Sequence, residues 1–321
     1  MKINVQMTME EILCLPQITA FGELIFDQTD KEGLYMTLKE LQKRHDDFEA
    51  ESVAYGLQRM TDLIEAGIPV EHKFWNHEEI EITPEKKKTR LFFMPGKAGM
   101  PFVLICPGGA YQCVCTLKEG FPTGARLNEL GYNAFILHYR VKEAGLMPHP
   151  LEDVAAALKY IFANADEFQI DSGRYAVAGF SSGGHLAAEW GTDNCGALNY
   201  GISKPEMIIL GYPASDLTVF GTHEKMMLTT MLGEKYKEAD IKKYNVNENI
   251  SADYPAAYIF HCQDDPVIPV ITSHRMKEKM ENFNCMCMFR EVPGGGHGFG
   301  LGEHTDAKGW LEEAIAFWET L

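Results

Sequence analysis

A serine with a glycine two residues to either side follows an apolar run in Tyr175-Ala176-Val177-Ala178-Gly179-Phe180-Ser181-Ser182-Gly183-Gly184-His185-Leu186-Ala187-Ala188. The stretch reads as strand, sharp turn and helix with Ser181 at the apex, the form of a nucleophile elbow. The glycines have a steric reason: strand and helix come so close in such a turn that a Cβ at either place would collide. Ser182 has Phe180 two residues before it, so Ser181 is the candidate nucleophile. A hydroxyl there does no chemistry alone. It needs a base, an acid to orient that base, and donors for the oxyanion that its attack creates.

Each of these has a candidate directly after an apolar, strand-like run. His297 lies in Pro293-Gly294-Gly295-Gly296-His297-Gly298-Phe299, where glycines let an imidazole project over a sheet edge. His304 is a rival in a more polar stretch, further from the strand end. Asp264-Asp265-Pro266 follows the run ending at Cys262. Asp265 is the preferred acid, because Pro266 begins a turn that can swing its carboxylate back over the sheet to fix the histidine tautomer. Asp264 is then a cap or a solvated neighbour. Pro107-Gly108-Gly109-Ala110-Tyr111 follows the run ending at Cys106, and oxyanion holes need unobstructed backbone N–H groups. Gly109 or Ala110 would supply one donor and Ser182, at the start of the elbow helix, the other. His185 is expected to brace the elbow, and His138 and His261 to pack in the core. Cys113 and Cys115 lie near the oxyanion loop as pocket lining.

The elements that must hold these groups alternate. Residues 102–106, 133–139, 175–178, 207–211, 257–262 and 286–292 read as strands, with helices over about 121–130, 151–165, 271–280 and 310–318. Two earlier strands, 80–83 and 90–94, are expected to form a hairpin around the lysine-rich turn 84–88. The whole reads as a mixed sheet with helices on both faces, in which ligands sit outside the carboxyl ends of the strands. Residues 1–75 read as a helical segment, with Thr8 and Glu11 as a capping box. Its amphipathic helices need a surface to lie on. Packing on the main domain is the simpler expectation, and a cap over the site or a contact in a homo-oligomer are the alternatives. Residues 76–321 form the catalytic domain, with a lid-like insertion at about 213–253.

The chain of 321 residues is 45% apolar and 23% charged, enough for one large core and an accessory segment. Its net charge of −17 repels nucleic acid and anionic membrane, so neither is an expected partner. The start has no apolar stretch of the secretory kind, and no apolar run is long enough to span a membrane. A cytoplasmic location is therefore expected, and the eight cysteines fit it as reduced thiols. Their spacings are not of the zinc type, and no metal or cofactor is expected.

Taken together, Leu104-Ile105-Cys106-Pro107-Gly108-Gly109-Ala110-Tyr111, His138-Tyr139-Arg140-Val141, the elbow around Ser181, Asp264-Asp265-Pro266-Val267-Ile268-Pro269 and Gly296-His297-Gly298-Phe299 resemble the α/β-hydrolase carboxylesterases grouped with acetyl-xylan and feruloyl esterases. The resemblance covers about residues 77–321. The order Ser181, Asp265, His297 is the nucleophile–acid–base order of that fold. The resemblance implies Ser181 as nucleophile, Asp265 as acid, His297 as base, and an oxyanion hole from Gly109 or Ala110 with Ser182. Departures are Pro107, where the hormone-sensitive-lipase branch has histidine, Ala110 in place of a third glycine, and Ser182 in place of a frequent alanine. The implied activity is hydrolysis of small carboxylic esters, such as acetyl or feruloyl esters of sugars or oligosaccharides. A prolyl-oligopeptidase-like peptidase and a catalytically inactive receptor on the same fold are the competing readings.

Overall fold

The computed structural model describes residues 2–27, 29–219 and 224–321. Among these, eight strands form one sheet: β1 (Glu71–His72), β2 (Arg90–Met94), β3 (Phe102–Cys106), β4 (Asn133–His138), β5 (Tyr175–Phe180), β6 (Met207–Gly211), β7 (Ala256–Cys262) and β8 (Cys287–Val292). Their spatial order is β1-β2-β4-β3-β5-β6-β7-β8. β2 runs antiparallel to β1 and β4, and every other neighbouring pair is parallel. The central strands are continuous apolar runs because both faces are covered. In β3, Val103 and Ile105 enter the core on one face, while Phe102, Leu104 and Cys106 enter the core on the other.

Register decides where chemistry can gather. Cys106 pairs with Gly179, Phe180 with Gly211, and Cys262 with Val292. The segments after β3, β5, β7 and β8 therefore leave along one edge of the sheet. Strand order reverses at β3, which has β4 on one side and β5 on the other. Ligands occupy such switch points in open parallel sheets. This is the sheet of the α/β-hydrolase fold, with the elbow between β5 and its helix.

The N-terminal residues form helices Met9–Leu13, Gly22–Ile25, Lys31–Leu34, Leu38–Arg44 and Ala50–Glu65, the first opened by the Thr8–Glu11 capping box. Ile12, Phe21, Leu38, Leu57 and Met60 are buried in the same core layer as Phe92 and Phe121. The rings of Phe21, Phe92 and Phe121 meet edge to face, with centroids 5.1–6.1 Å apart, a favoured aromatic geometry.

Two expectations need correction. Residues 80–83 are not a strand: His77–Ile82 is a helix and Pro84–Lys88 a 3-10 turn. Asn76 and Glu79 form a capping box at the helix start. The short Ile-Glu-Ile alternation has no surface to bury, since Ile82 is 76% exposed. The partner of β2 is instead β1, so residues 71–72 of the N-terminal segment already belong to the sheet.

The insertion carries helices Glu224–Leu232, Glu238–Tyr244 and Val246–Asn249, and its residues 220–223 lie outside the described residues. The carbonyls of Thr230 and Met231 accept from the N–H groups of Leu146 and Met147, which docks the insertion on the loop after β4.

The elbow helix Ser181–Trp190 buries Glu189 completely, with no hydrogen-bond partner recorded for either carboxylate oxygen among the described residues. Burial pushes this carboxyl up to about 8, against smaller pulls from the Cys195 thiol and Lys243. An acid whose folded pKa is raised favours the folded state below its unfolded pKa and loses that contribution as pH rises through the folded value. Glu189→Gln is thus expected to match the parent's Tm near pH 4, below the unfolded value of 4.5, and exceed it by several degrees at pH 9. Thermal unfolding at both pH values checks this, and an equal change at both would sink it.

Candidate active site

Ser181 takes φ +52°, a left-handed backbone that a non-glycine residue holds only where its surroundings dictate it. The glycines of the turn make it possible. A Cβ on Gly179 would run into the carbonyl of Gly183, and one on Gly183 into the carbonyls of Cys106 and Pro107. The second contact shows that the elbow packs against the end of β3 as well as against its own strand.

Ser181 is 9% exposed and lies 2.9 Å from His297 Nε2 through its Oγ. His297 Nδ1 lies 2.7 Å from Asp265 Oδ2. A carboxylate can only accept, so Nδ1 carries the proton and Nε2 is free to accept from the serine. Asp265 Oδ1 accepts the N–H groups of Val267 and Ile268, both at 2.8 Å. Burial works to raise the Asp265 carboxyl, but hydrogen bonds from His261 and His297 outweigh it and hold the group down to about 2. It is therefore ionised beside a histidine whose cation it would stabilise. Asp264 instead accepts the Gly296 N–H at 2.9 Å and shapes the histidine loop.

The segment after β3 turns through three successive positive φ values, at Gly109 (+129°), Ala110 (+53°) and Tyr111 (+58°). Among the described residues the N–H groups of Gly109 and Ala110 have no backbone or side-chain acceptor. Ser182 lies in the first turn of its helix, where N–H groups lack an intrahelical partner. Tyr139 OH donates to the Pro107 carbonyl at 2.6 Å, and the Tyr111 N–H donates to Ser182 Oγ at 3.3 Å. His185 Nε2 donates to the Tyr244 carbonyl at 2.7 Å, leaving Nδ1 to accept from Tyr111 OH at 2.8 Å. Burial pushes His185 down to about 4, so it is a neutral brace between the oxyanion loop and the insertion.

The structure thus brings together Ser181, His297, Asp265 and the 107–111 loop, and it leaves other histidines elsewhere. His304 pairs with Glu51 at 2.8 Å on the exposed surface. His138 is buried against Thr116. His261 is a core histidine as expected, yet its Nε2 also lies 3.2 Å from Asp265 Oδ2. Cys113 Sγ lies 3.8 Å from the Gly109 carbonyl, beside the oxyanion loop. Three side chains at this edge escaped the sequence reading: the Ser182 hydroxyl on the Tyr111 N–H, Glu119 on the Gly108 N–H, and Tyr212 on the Glu119 carboxyl group. Tyr212 directly follows β6, and the strand-end rule that found the others would have found it. Nothing in the polar run Thr116-Leu117-Lys118-Glu119 signals an inward carboxylate.

Two accessory segments reach this edge. Gln112, next to the oxyanion loop, donates to Thr230 of the insertion. Glu49 of the N-terminal segment accepts the N–H groups of Glu303 and His304, just past the histidine loop. Chemically, the arrangement can move a proton from serine to imidazole while backbone N–H groups stand ready for a tetrahedral oxyanion.

The chain is similar to known proteins. The endo-1,4-beta-xylanase B of Butyrivibrio fibrisolvens is 26% identical over 217 residues, covering 65% of this chain and 34% of the relative. The acetylxylan esterase of Xylanibacter ruminicola is 25% identical over 262 residues, covering 81% of this chain and 53% of the relative. The chain thus spans about a third to about half the length of these curated relatives. The crystal structure of an acetyl ester-xyloside bifunctional hydrolase from Caldicellulosiruptor lactoaceticus matches with a TM-score of 0.68 at 27% identity, covering 78% of this chain and 95% of that one. The BD-FAE family model matches residues 92–280, a span that holds the oxyanion loop, Ser181 and Asp265. With more than half of its length inside that match, the chain belongs to the BD-FAE family.

Proposed function

We propose that this protein is a serine carboxylesterase acting on acetyl or feruloyl esters of sugars or oligosaccharides. The observation that carries the reading is the continuous hydrogen-bonded chain from Asp265 through His297 to Ser181. Ser181 attacks the ester carbonyl, His297 takes its proton and returns it to the leaving alcohol, and Gly109 or Ala110 with Ser182 holds the oxyanion. Water activated by His297 then releases the acid from the acyl-enzyme. The sugar-ester preference rests on the similarity to an acetylxylan esterase and to an acetyl ester-xyloside hydrolase. A xylanase reading fits the site less well. Glycoside hydrolysis uses two carboxyl groups facing one bond, whereas Asp265 has its oxygens engaged by His297, Val267 and Ile268.

The N-terminal segment is then a packing extension at the rim of the site, and the insertion a lid over it, supported by Glu49 and by the Gln112–Thr230 contact. Action in the cytoplasm is supported by cysteines that are all free thiols, three of them buried. A panel of acetyl, butyryl and feruloyl esters with acetylated xylo-oligosaccharides tests the assignment. The expected result is faster turnover of the acetylated sugars than of butyryl esters; matched amides turned over as fast as the esters would favour a peptidase instead.

A further inference from the structure

Glu119 is a buried acid that the proposed reaction does not use, and its position is unusual. It sits in a five-residue π-helical turn, Thr116–Gly120, a local form often found at functional sites. Its side chain is directed inward, leaving the residue 2% exposed. Oε2 accepts the Gly108 N–H at 2.5 Å, and Oε1 accepts from Tyr212 OH at 2.9 Å. The Tyr212 hydroxyl in turn accepts the Gly300 N–H at 3.0 Å, three residues past His297. The Tyr212 ring lies 4.7 Å from the His297 ring, centroid to centroid. Tyr212 itself holds φ +36° and is tied to β7 through its N–H on the Phe260 carbonyl at 2.8 Å.

One carboxyl group therefore joins the Gly108 loop directly, and the loop past His297 through Tyr212. A Cβ on Gly108 would lie 3.0 Å from Glu119 Oε2 and 2.9 Å from the Ser181 Cβ, so the carboxyl group stands immediately behind the elbow. We propose that Glu119 is a positioning residue which, through Tyr212, locks the oxyanion loop and the histidine loop in register with Ser181. The proposal rests on the serine-esterase reading above, and it concerns geometry rather than contact with substrate. Burial, with the Cys115 thiol adding to it, pushes the Glu119 carboxyl up to about 8, against Lys118 and the two hydrogen bonds. The carboxyl group thus holds its proton to higher pH than an exposed glutamate does.

Glutamine can reproduce much of the bracket. Its oxygen accepts the Gly108 N–H, and its amide nitrogen donates to the Tyr212 hydroxyl, which has one lone pair for that donor and one for the Gly300 N–H. Alanine leaves both partners unpaired. The test is the rate at which a fluorophosphonate probe labels Ser181 in the full chain, with kcat and KM for p-nitrophenyl acetate and with Tm. Labelling needs the nucleophile and the oxyanion hole but no particular natural substrate. Glu119→Ala and Tyr212→Phe are expected to slow labelling and kcat by about a hundredfold, as small misplacements do, with KM within about twofold. Glu119→Gln should recover to within about tenfold of the parent, and the Glu119→Ala/Tyr212→Phe double variant should lose little more than either single one, as members of one network do. If folded Tyr212→Phe and Glu119→Gln proteins label at the parent rate while Glu119→Ala does too, the positioning role is wrong and the esterase reading stands. A parent protein that the probe does not label at all overturns the esterase reading itself, and the positioning role with it.

Discussion

Ser181→Ala is expected to lower kcat for p-nitrophenyl acetate by about 10⁴–10⁶-fold, the range seen when a triad nucleophile is removed, with KM little changed. The recorded partner of the Ser181 hydroxyl is His297 Nε2, so removing it takes away the group that attacks and leaves the fold intact. The backbone strain at φ +52° is the same for alanine as for serine. No neighbour is placed to substitute. The Ser182 hydroxyl already accepts the Tyr111 N–H, and the Cys113 thiol lies against the Gly109 carbonyl. Combining Ser181→Ala with His297→Ala should cost little beyond the first change, because a base without its nucleophile has nothing to deprotonate. Initial rates with purified variants of matched Tm decide it. Activity within about tenfold of the parent after loss of Ser181 would rule out an acyl-enzyme on this residue.

Most of what that prediction rests on is readable in the amino-acid sequence, for a physical reason. Central strands of a covered parallel sheet must be apolar throughout, and they must end where the backbone meets solvent or a turn. Cys106, Ala178 and Cys262 are therefore visible as ends of apolar runs, and the residues after them as candidates for chemistry, while Val292 closes an edge strand that carries Arg290 and Glu291. The choice of Asp265 over Asp264 follows from the turn begun by Pro266, and the structure puts Asp265 on His297 and Asp264 on the Gly296 N–H. Illegible parts are those whose structure depends on partners distant in sequence. β1 is two residues long and exists through its pairing with Leu91 and Phe92. The helix at His77–Ile82 depends on a cap that a four-residue alternation conceals. Glu119 faces inward from a π turn, and its partners Gly108 and Tyr212, with Gly300 reached only through Tyr212, come from three different loops. A side chain whose role is to hold loops together carries no local pattern of its own.

Asp265→Asn is expected to lower kcat by about 10⁴-fold, as the same change does in another serine hydrolase triad, and here the direction follows from hydrogen-bond polarity. Oδ1 of Asp265 accepts two backbone N–H groups at 2.8 Å, so an amide nitrogen cannot occupy that place. The nitrogen of asparagine must take the Oδ2 place, facing His297 Nδ1 at 2.7 Å and His261 Nε2 at 3.2 Å. Donating there forces His297 into the tautomer with its proton on Nε2, which cannot accept from Ser181. It also sets two N–H groups against each other at His261, whose Nε2 is already fixed as a donor by the Ile268 carbonyl at 2.9 Å. Stability should fall as well. The Asp265 carboxyl titrates near 2 when folded, against 3.8 for the unperturbed group. A depressed acid contributes stability above its unfolded value and loses it as pH drops toward the folded one, which for this shift amounts to about 2–3 kcal/mol at neutral pH. Urea unfolding should therefore separate parent from variant at pH 7 and bring them closer near pH 3. Asp264→Asn is the control: an amide oxygen still accepts the Gly296 N–H at 2.9 Å and only the long 3.4 Å contact with the Gly295 N–H is lost, so its kcat should stay within about tenfold of the parent. If Asp264→Asn proved the more damaging of the two, the acid would have to be reassigned, and with it the tautomer that makes His297 a base.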